Sequence, residues 1–379
     1  MSEAHYDDVG GDDGAQAFGV GTGPYKLVTH VADDQILLEG IKNHYRVDPG
    51  FETLRLVEVS EVATRIAMLN SGDADLTMVG LPLLDQIKDD IPNLEFYYGP
   101  LSLGTGVSVY FGGNWRIEKD EDGNVMPEWP PPSHLPWVGD YFDEESRENG
   151  RKVRVAMSMA IDRETINEVI LGGQGCLVYI AVLSSCDSHF EEQWVTPYDP
   201  EGAKALLAEA GYPDGFTVPL WISGGLNDTY EEISQAVANY WEDLGLTVEI
   251  DNALYQVRRP QLCCERSMND LFMSSYGTAS LADAWMDLLC CLSTRISWSL
   301  GFSFPEMYDI EDRLKFESDP DAAWAGPLRD YFVYQDHEKL SAGVIVFDDP
   351  WVGGNRLGSA NMVIQGTIIP EVESLMPVQ

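Results

Sequence analysis

Residues 25–30 and 35–38 interleave apolar with polar positions on either side of Ala32, Asp33 and Asp34, and such β-rich runs around turn residues predict a hairpin. Val62, Ile66 and Leu69 then recur at helical spacing, with Ser60 placed to cap that helix and Gly72 to end it. Residues 74–79 follow as a short buried strand. Val153, Met157 and Ile161 mark a further helix, and Asp162 can cap the next, which Gly172 and Gly173 stop. Asp199 before Pro200 is an N-cap followed by proline at the first helical position, and Gly211 closes that helix. Residues 216–222 read as a strand. Asp228 or Thr229 then opens a helix with Ile233, Val237, Tyr240 and Leu244 inward, Gly245 closes it, and residues 247–250 form the next strand. This β-α-β alternation predicts an α/β unit with crossover connections.

Between these patterned regions, residues 116–150 change character, with acids at Glu118, Asp120, Glu121 and Asp122 and the run Trp129-Pro130-Pro131-Pro132. Proline runs hold neither a ladder nor a helix, so an irregular excursion or linker is predicted. Trp129 and Trp137 point to a segment that packs down, because indoles are out of place in a purely flexible linker. No internal repeat is visible, and no run approaches the roughly 18 apolar residues that span a bilayer. The first residues, from Met1 to Asp8, lack the basic and apolar regions of a secretory signal.

Charge narrows the function classes. Asp and Glu number 63 against 23 Lys and Arg, a formal charge of −40, so phosphate-rich partners such as nucleic acid or an anionic membrane surface are repelled. The acid excess reads as a solvated surface suited to a salty habitat, with attraction of cationic solutes as the sharper alternative. At 379 residues and 44% hydrophobic content the chain can bury two cores. Of six cysteines, Cys176 and Cys186 enclose a short loop that a disulfide would close, restricting the unfolded chain by about 2–3 kcal/mol. The adjacent pairs Cys263-Cys264 and Cys290-Cys291 lack the spacing of zinc knuckles and read as buried thiols or one cross-link between the pairs.

Catalytic signatures are missing. The glycines from Gly19 to Gly23 precede Pro24 and a strand rather than a helix, so no phosphate cradle forms there. The six histidines stand singly, and no zinc helix or nucleophile elbow occurs. Neither a metal nor a cofactor is expected. Asp309, Glu311 and Asp312 are the nearest thing to paired carboxylates for acid-base work, though such spacing normally gives a solvated helix face.

Four blocks stand in one order: Gly21-Thr22-Gly23-Pro24-Tyr25-Lys26-Leu27; Ala63-Thr64-Arg65-Ile66-Ala67-Met68-Leu69-Asn70-Ser71-Gly72-Asp73-Ala74-Asp75; Val153-Arg154-Val155-Ala156-Met157-Ser158-Met159-Ala160-Ile161-Asp162-Arg163; and Tyr198-Asp199-Pro200-Glu201-Gly202-Ala203-Lys204-Ala205-Leu206-Leu207-Ala208-Glu209-Ala210-Gly211-Tyr212. Together, over residues 6–351, the chain resembles the solute-binding proteins of peptide-type ABC importers. The resemblance implies a type II periplasmic-binding-protein fold, two α/β lobes with mixed sheets joined by hinge crossings. Residues 1–115 would be a partial first lobe, 116–150 a proline- and acid-rich crossing or insertion, 151–342 the second lobe, and 343–379 the return to the first, with 344–347 as the returning strand. In that family the first block stands well inside the polypeptide, so the resemblance also implies that an N-terminal portion of lobe one is lacking here, leaving that lobe the more protease-sensitive.

The function so implied is capture of a small organic solute or peptide between the lobes and delivery to an ABC permease, by a monomer that is periplasmic or extracellular and membrane-associated. The alternatives are a signalling or chemoreceptor ligand-binding protein and a hydrolase using the carboxylates above. The family builds its cleft from two segments that here carry Tyr110, Asn114 and Trp115, and Tyr276, Asp283 and Trp285; aromatic walls give contact area with little rotamer loss. Dipeptide receptors place a carboxylate shortly after an aromatic residue to pair the ligand's ammonium. Here Gly277, Thr278, Ala279 and Ser280 follow Tyr276, and Asp283 falls where the family has a structural turn. A buried ammonium without a charge partner is costly, so the resemblance points away from ordinary α-peptides, while Arg295 is available to an anionic group.

Overall fold

The computed structural model describes residues 21–91, 93–99, 105–112, 116–119, 125–129, 134–225, 227–263, 265, 267–275, 304–364 and 368–378. The chain divides into two compact units, Met1–Gly99 with Asp349–Gln379, and Pro100–Asp348.

In the first unit the hairpin forms as the alternation predicts. β1 (Tyr25–Val31) pairs antiparallel with β2 (Gln35–Gly40), and β3 (Thr53–Val57) extends the sheet. Leu27, Leu38 and Leu54 face one another across the three strands and are half-buried, the cross-strand contact that stabilises a sheet of this size. α1 (Val62–Ser71) ends at Gly72 in left-handed backbone, φ 79°, but Glu61 rather than Ser60 is its N-cap, without a side-chain hydrogen bond. β4 (Leu76–Met78), α2 (Leu84–Asp90) and β5 (Glu95–Tyr97) follow.

The second unit starts with β6 (Thr105–Tyr110), then β7 (Arg116–Lys119) and β8 (Val125–Trp129), which pair as an antiparallel hairpin. A hairpin and a helix start thus replace much of the irregular excursion expected over residues 116–150. α3 (Glu144–Met159) begins seven residues ahead of Arg151 because Asp143 accepts the amides of Glu145 and Ser146 at 3.1 and 3.2 Å, with Glu144 and Glu145 favouring the helix N-terminus. Trp137 does pack down: it is 1% exposed, its ring 6.1 Å from that of Phe216.

α4 (Arg163–Leu171) is capped by Asp162 and ended by Gly172, as expected. β9 (Cys176–Ile180), β10 (Leu183–Ser184) and α5 (Pro200–Glu209) precede the α/β repeat of β11 (Thr217–Ile222), α6 (Asp228–Leu244) and β12 (Thr247–Asp251). α6 is capped by Asn227, one residue before the expected start, and buries Tyr230, Ile233, Val237, Trp241 and Leu244; Trp241 takes the inward place expected for Tyr240. α7 (Tyr255–Cys263), β13 (Leu271–Ser274), α8 (Pro305–Leu314), α9 (Arg329–Glu338) and β14 (Ser341–Phe347) complete the unit.

Seven strands form one mixed sheet in the order β10-β9-β14-β6-β13-β11-β12. β11 runs parallel to β12 and β13, and β6 is antiparallel to both β13 and β14. β14, whose residues 344–347 were expected to return to the first lobe, therefore lies inside the second unit's sheet. All seven of its residues are buried, which suits a strand covered on both faces.

Two fully buried arginines brace this unit. Arg154 donates to the carbonyls of Trp137, Glu338 and Lys339 at 2.6–3.1 Å and lies 3.6 Å from the Glu338 carboxylate, so it caps α9 and fixes the entry to β14. Arg163 donates to the carbonyls of Val178 and Gly343 at 3.0 and 2.7 Å, to those of Ser158 and Ile161 at 3.1 and 3.2 Å, and to Ser158 Oγ at 3.0 Å. Burial pulls both guanidinium groups down to about 10, which still leaves them charged at neutral pH.

The chain then re-enters the first unit. β15 (Trp351–Gly353) inserts between β4 and β5, pairing Trp351 with Met78 and Tyr97. Asp349 accepts the Leu81 amide at 2.9 Å. β16 (Leu357–Ser359) and, past the hairpin of β17 (Met362–Ile364) with β18 (Ile368–Pro370), β19 (Met376–Pro377) pair at the end.

Candidate functional site

β11, β12, β13 and β14 all run in one direction, ending at Ile222, Asp251, Ser274 and Phe347 on one edge of the second unit's sheet. Open α/β sheets bind ligands outside the carboxyl ends of their strands, which makes this edge the candidate site. Here the strand ends are tied together by one side chain. Tyr230, on the first turn of α6 and 0% exposed, accepts the Ser223 amide at 3.1 Å and donates to the Met273 carbonyl at 2.6 Å. Desolvation pushes the phenol well above its ordinary range, so it remains a donor at any working pH.

The loop between β11 and α6 has its polar groups largely spoken for. Asn227 Oδ1 accepts the Tyr230 amide at 3.0 Å, and the Gly225 amide donates to Glu231 Oε1 at 2.8 Å. Gly224 bridges to Leu254, and a Cβ at that glycine would lie 2.6 Å from the Asn252 carbonyl oxygen, so only glycine lets the two strand ends approach. Ser223 is fully buried, and its Oγ has no hydrogen-bond partner among the described residues. Acids at Asp228 and Glu231 in the first helical turn oppose an anionic ligand at this helix terminus.

Tyr230→Phe keeps the ring and removes the hydroxyl, leaving a buried amide and carbonyl unpaired. A destabilisation of about 1–3 kcal/mol is expected in urea unfolding, with faster amide exchange at Ser223. Loss below a few tenths of a kcal/mol would show that the hydroxyl does not hold the strand ends.

Beside this loop lies an aromatic stack. Trp221 lies against Tyr255, 6.2 Å away at 12°, and against its ladder neighbour Phe272, 4.4 Å away at 21°. Arg258 lies over the Trp221 ring at 5.4 Å and bonds both Asp251 and Asp270. Burial alone would lower its pKa, but the two carboxylates outweigh that and hold it above the usual value. Leu254 and Val257, 53% and 64% exposed, add apolar surface next to Gly225 and Tyr255. The edge thus carries buried hydroxyls and a buried aromatic cluster, with Leu254 and Val257 exposed beside them, and these residues make no catalytic constellation.

Of the residues expected to contact ligand, Tyr110 ends β6 opposite Phe272 and Ser341, near the amino ends of β13 and β14, and is 3% exposed. It is therefore placed at the opposite end of the sheet from the carboxyl edge. Asn114, Trp115, Tyr276, Asp283 and Trp285 lie outside the described residues, as do Arg295, Cys264, Cys290 and Cys291. Ser274 and Ser275, which lead to Tyr276, are on the carboxyl edge. On α8, Glu311 is buried while Asp309 and Asp312 are exposed, so the three carboxylates share no face and do not converge for acid-base chemistry. Cys176 and Cys186 are joined by a disulfide. Among the described residues no cluster of His, Cys, Asp and Glu is placed to hold a metal ion, and no helix is long and apolar enough to cross a membrane.

Tyr230, Ser223 and Arg258 were not singled out by sequence reasoning. For Tyr230 a signal existed, since it stands three residues before Ile233 on the inward face of α6; for the other two, partners distant in sequence supply the role.

Heme-binding protein A of Haemophilus influenzae is 27% identical over 60% of this chain and 36% of its own length. Di/tripeptide-binding protein 1 of Pseudomonas aeruginosa is 26% identical over 61% of this chain and 38% of its length. The chain thus spans under two fifths of the curated relatives it matches. Among solved structures, a dipeptide-binding protein from Pseudoalteromonas sp. SM9913 in complex with Met-Leu superposes with a TM-score of 0.76 at 17% identity, covering 100% of this chain and 69% of that one. The periplasmic binding protein DppA of Helicobacter pylori gives 0.75 at 15% identity, covering 100% and 67%. These likenesses establish the type II periplasmic-binding-protein fold. The family model of bacterial extracellular solute-binding proteins, family 5, matches residues 2–285, through the α/β repeat and its carboxyl edge, and the chain belongs to that family.

Proposed function

We propose that this chain is a solute-binding component of an ABC importer, which captures a small organic or peptide-like solute and passes it to a membrane permease. The observation that carries this reading is the family match over residues 2–285. Relatives named for binding heme, di- and tripeptides and glutathione support a small organic solute as the class. The protein acts by binding, not by turnover: the solute stabilises the conformation that the permease recognises, by as much as its affinity for that conformation exceeds its affinity for the other. It works as a monomer, in the periplasm or outside the cell and associated with the membrane through its permease. A formal charge of −40 disfavours nucleic acid as a partner.

The proposed solute contacts are Tyr276, Asp283 and Trp285, which follow Ser274 in the chain, and Tyr110, Asn114 and Trp115 of the other segment. Because no carboxylate follows Tyr276 until Asp283, solutes lacking an α-ammonium are favoured. Calorimetric titration with free dipeptides, N-acetylated dipeptides and glutathione tests this. Tyr276→Ala and Trp285→Ala are expected to weaken binding at least about tenfold, or about 1.4 kcal/mol, without moving the urea midpoint. Asn114→Ala and Trp115→Ala test the other segment separately. Unchanged affinity in all four variants would remove both segments from the site.

A further inference from the structure

We propose that the Cys176–Cys186 disulfide is a thiol-sensitive latch on the edge of the second unit's sheet, which holds the last residues of β14 in place and releases them locally when reduced. The inference concerns this unit alone and does not rest on the receptor reading. Three observations carry it.

First, the two sulfurs differ in access: Cys186 is exposed in the loop after β10, whereas Cys176 is 2% exposed and packs with Val178 and Val346. An external thiolate therefore meets Cys186 first. Second, Cys176 pairs with Val346 and Leu177 with Ile345, so the bonded end of β9 is the neighbour that covers the end of β14, one residue short of Asp348, where the unit ends. Third, the hairpin that the disulfide closes has a short ladder of its own, the pairs Leu183–Ile180 and Ser184–Val178. β10 is an edge strand of two residues, and its turn places Val182, a buried β-branched residue, at φ 64°, a conformation that favours glycine. Beyond the disulfide and that ladder, Ser185 N–H donates to the Leu177 carbonyl at 2.7 Å and Ala181 N–H to Ser341 Oγ at 3.2 Å, while Arg163 holds the Val178 carbonyl at 3.0 Å, so the disulfide is the one tie at the open end of the hairpin that a thiol can cut.

The step balances with a dithiol as reductant. One thiolate of the dithiol attacks the Cys186 sulfur, forming a mixed disulfide while the S–S bond breaks and the Cys176 thiolate leaves and takes up a proton. The second thiolate of the dithiol then closes on the first sulfur, expelling the Cys186 thiolate, which is protonated in turn. The protein gains two electrons and two protons, and the dithiol ends as a cyclic disulfide. With the closure gone, the strained turn relaxes, and the edge strand frays from β9.

Amide hydrogen exchange on the whole chain, with and without dithiothreitol, is the test. Exchange at residues 177–185 and 344–347 is expected to quicken at least tenfold on reduction, with residues 217–222 and 228–244 unchanged; Cys176→Ala/Cys186→Ala without reductant should reproduce this pattern. No change at 177–185 and 344–347 would overturn the latch. So would equal acceleration throughout the unit, or a double variant that fails to fold, since either makes the disulfide a global staple.

Discussion

Arg163→Ala is expected to destabilise the second unit by about 3–5 kcal/mol, the upper range of single substitutions, reached when a buried hydrogen-bond network is broken. The guanidinium spans the corner between α3 and α4 and two sheet strands, and its removal leaves the carbonyls of Ser158, Ile161, Val178 and Gly343 without this donor in a fully buried setting. Each such loss costs about 1–3 kcal/mol at most, and partial relaxation keeps the sum below their total. Arg163→Lys should recover only part, because an ammonium has three donors and no planar fork. Urea unfolding followed by tryptophan fluorescence measures both. A loss under about 1 kcal/mol for the alanine variant would show that water or a repacked side chain replaces the clamp.

The second large effect concerns salt. With 63 acids against 23 bases, self-repulsion opposes the compact state, and described lysines such as Lys26, Lys42 and Lys315 already lie in surface pairs that are worth little. Raising potassium chloride from about 0.1 to 2 M shortens the screening length from about 10 Å to a few Å, so neighbouring carboxylates cease to interact. A rise in Tm of about 10 °C is expected, equivalent to roughly 3–5 kcal/mol for a unit of this size. Chloride is the right anion, because sulfate stabilises most proteins by exclusion from their surface. A Tm that is flat or falls with salt would mean that the acids are too well solvated or spaced to repel.

Local signals were legible where a few neighbouring residues decide the backbone. Asp162 and Asp199 cap their helices, Pro200 takes the first helical position, Gly72, Gly172 and Gly245 stop theirs, and the hairpin turns at Asp33. The disulfide between Cys176 and Cys186 was legible for the same reason: a short loop between two cysteines is a local fact. What escaped depends on partners far along the chain. Ser341-Ala342-Gly343 looks too small and polar to open a central strand, yet β14 is covered on both faces because β6 and β9 flank it. Arg163 reads as the end of a family block, and nothing local shows that its guanidinium reaches the Gly343 carbonyl.

At the site the same division holds. Resemblance directed attention to the segments around Tyr110 and Tyr276, but strand direction, which places Tyr110 at one end of the sheet and Ser274 at the other, is a property of the assembled ladder. Tyr230 shows the converse: its inward position follows from the helical period, whereas its bond to the Met273 carbonyl requires β13 to lie beside β11.

The central claim, that this chain binds a small solute and does not transform it, is tested most directly by equilibrium dialysis against a mixture of N-acetylated dipeptides, free dipeptides, tripeptides and glutathione, with mass spectrometry of both chambers. The account predicts saturable enrichment of one or a few solutes on the protein side, near one per chain, each recovered chemically unchanged after release by denaturation. Conversion of any solute in the absence of a permease, or no enrichment of any member of the mixture at millimolar concentration, would contradict it.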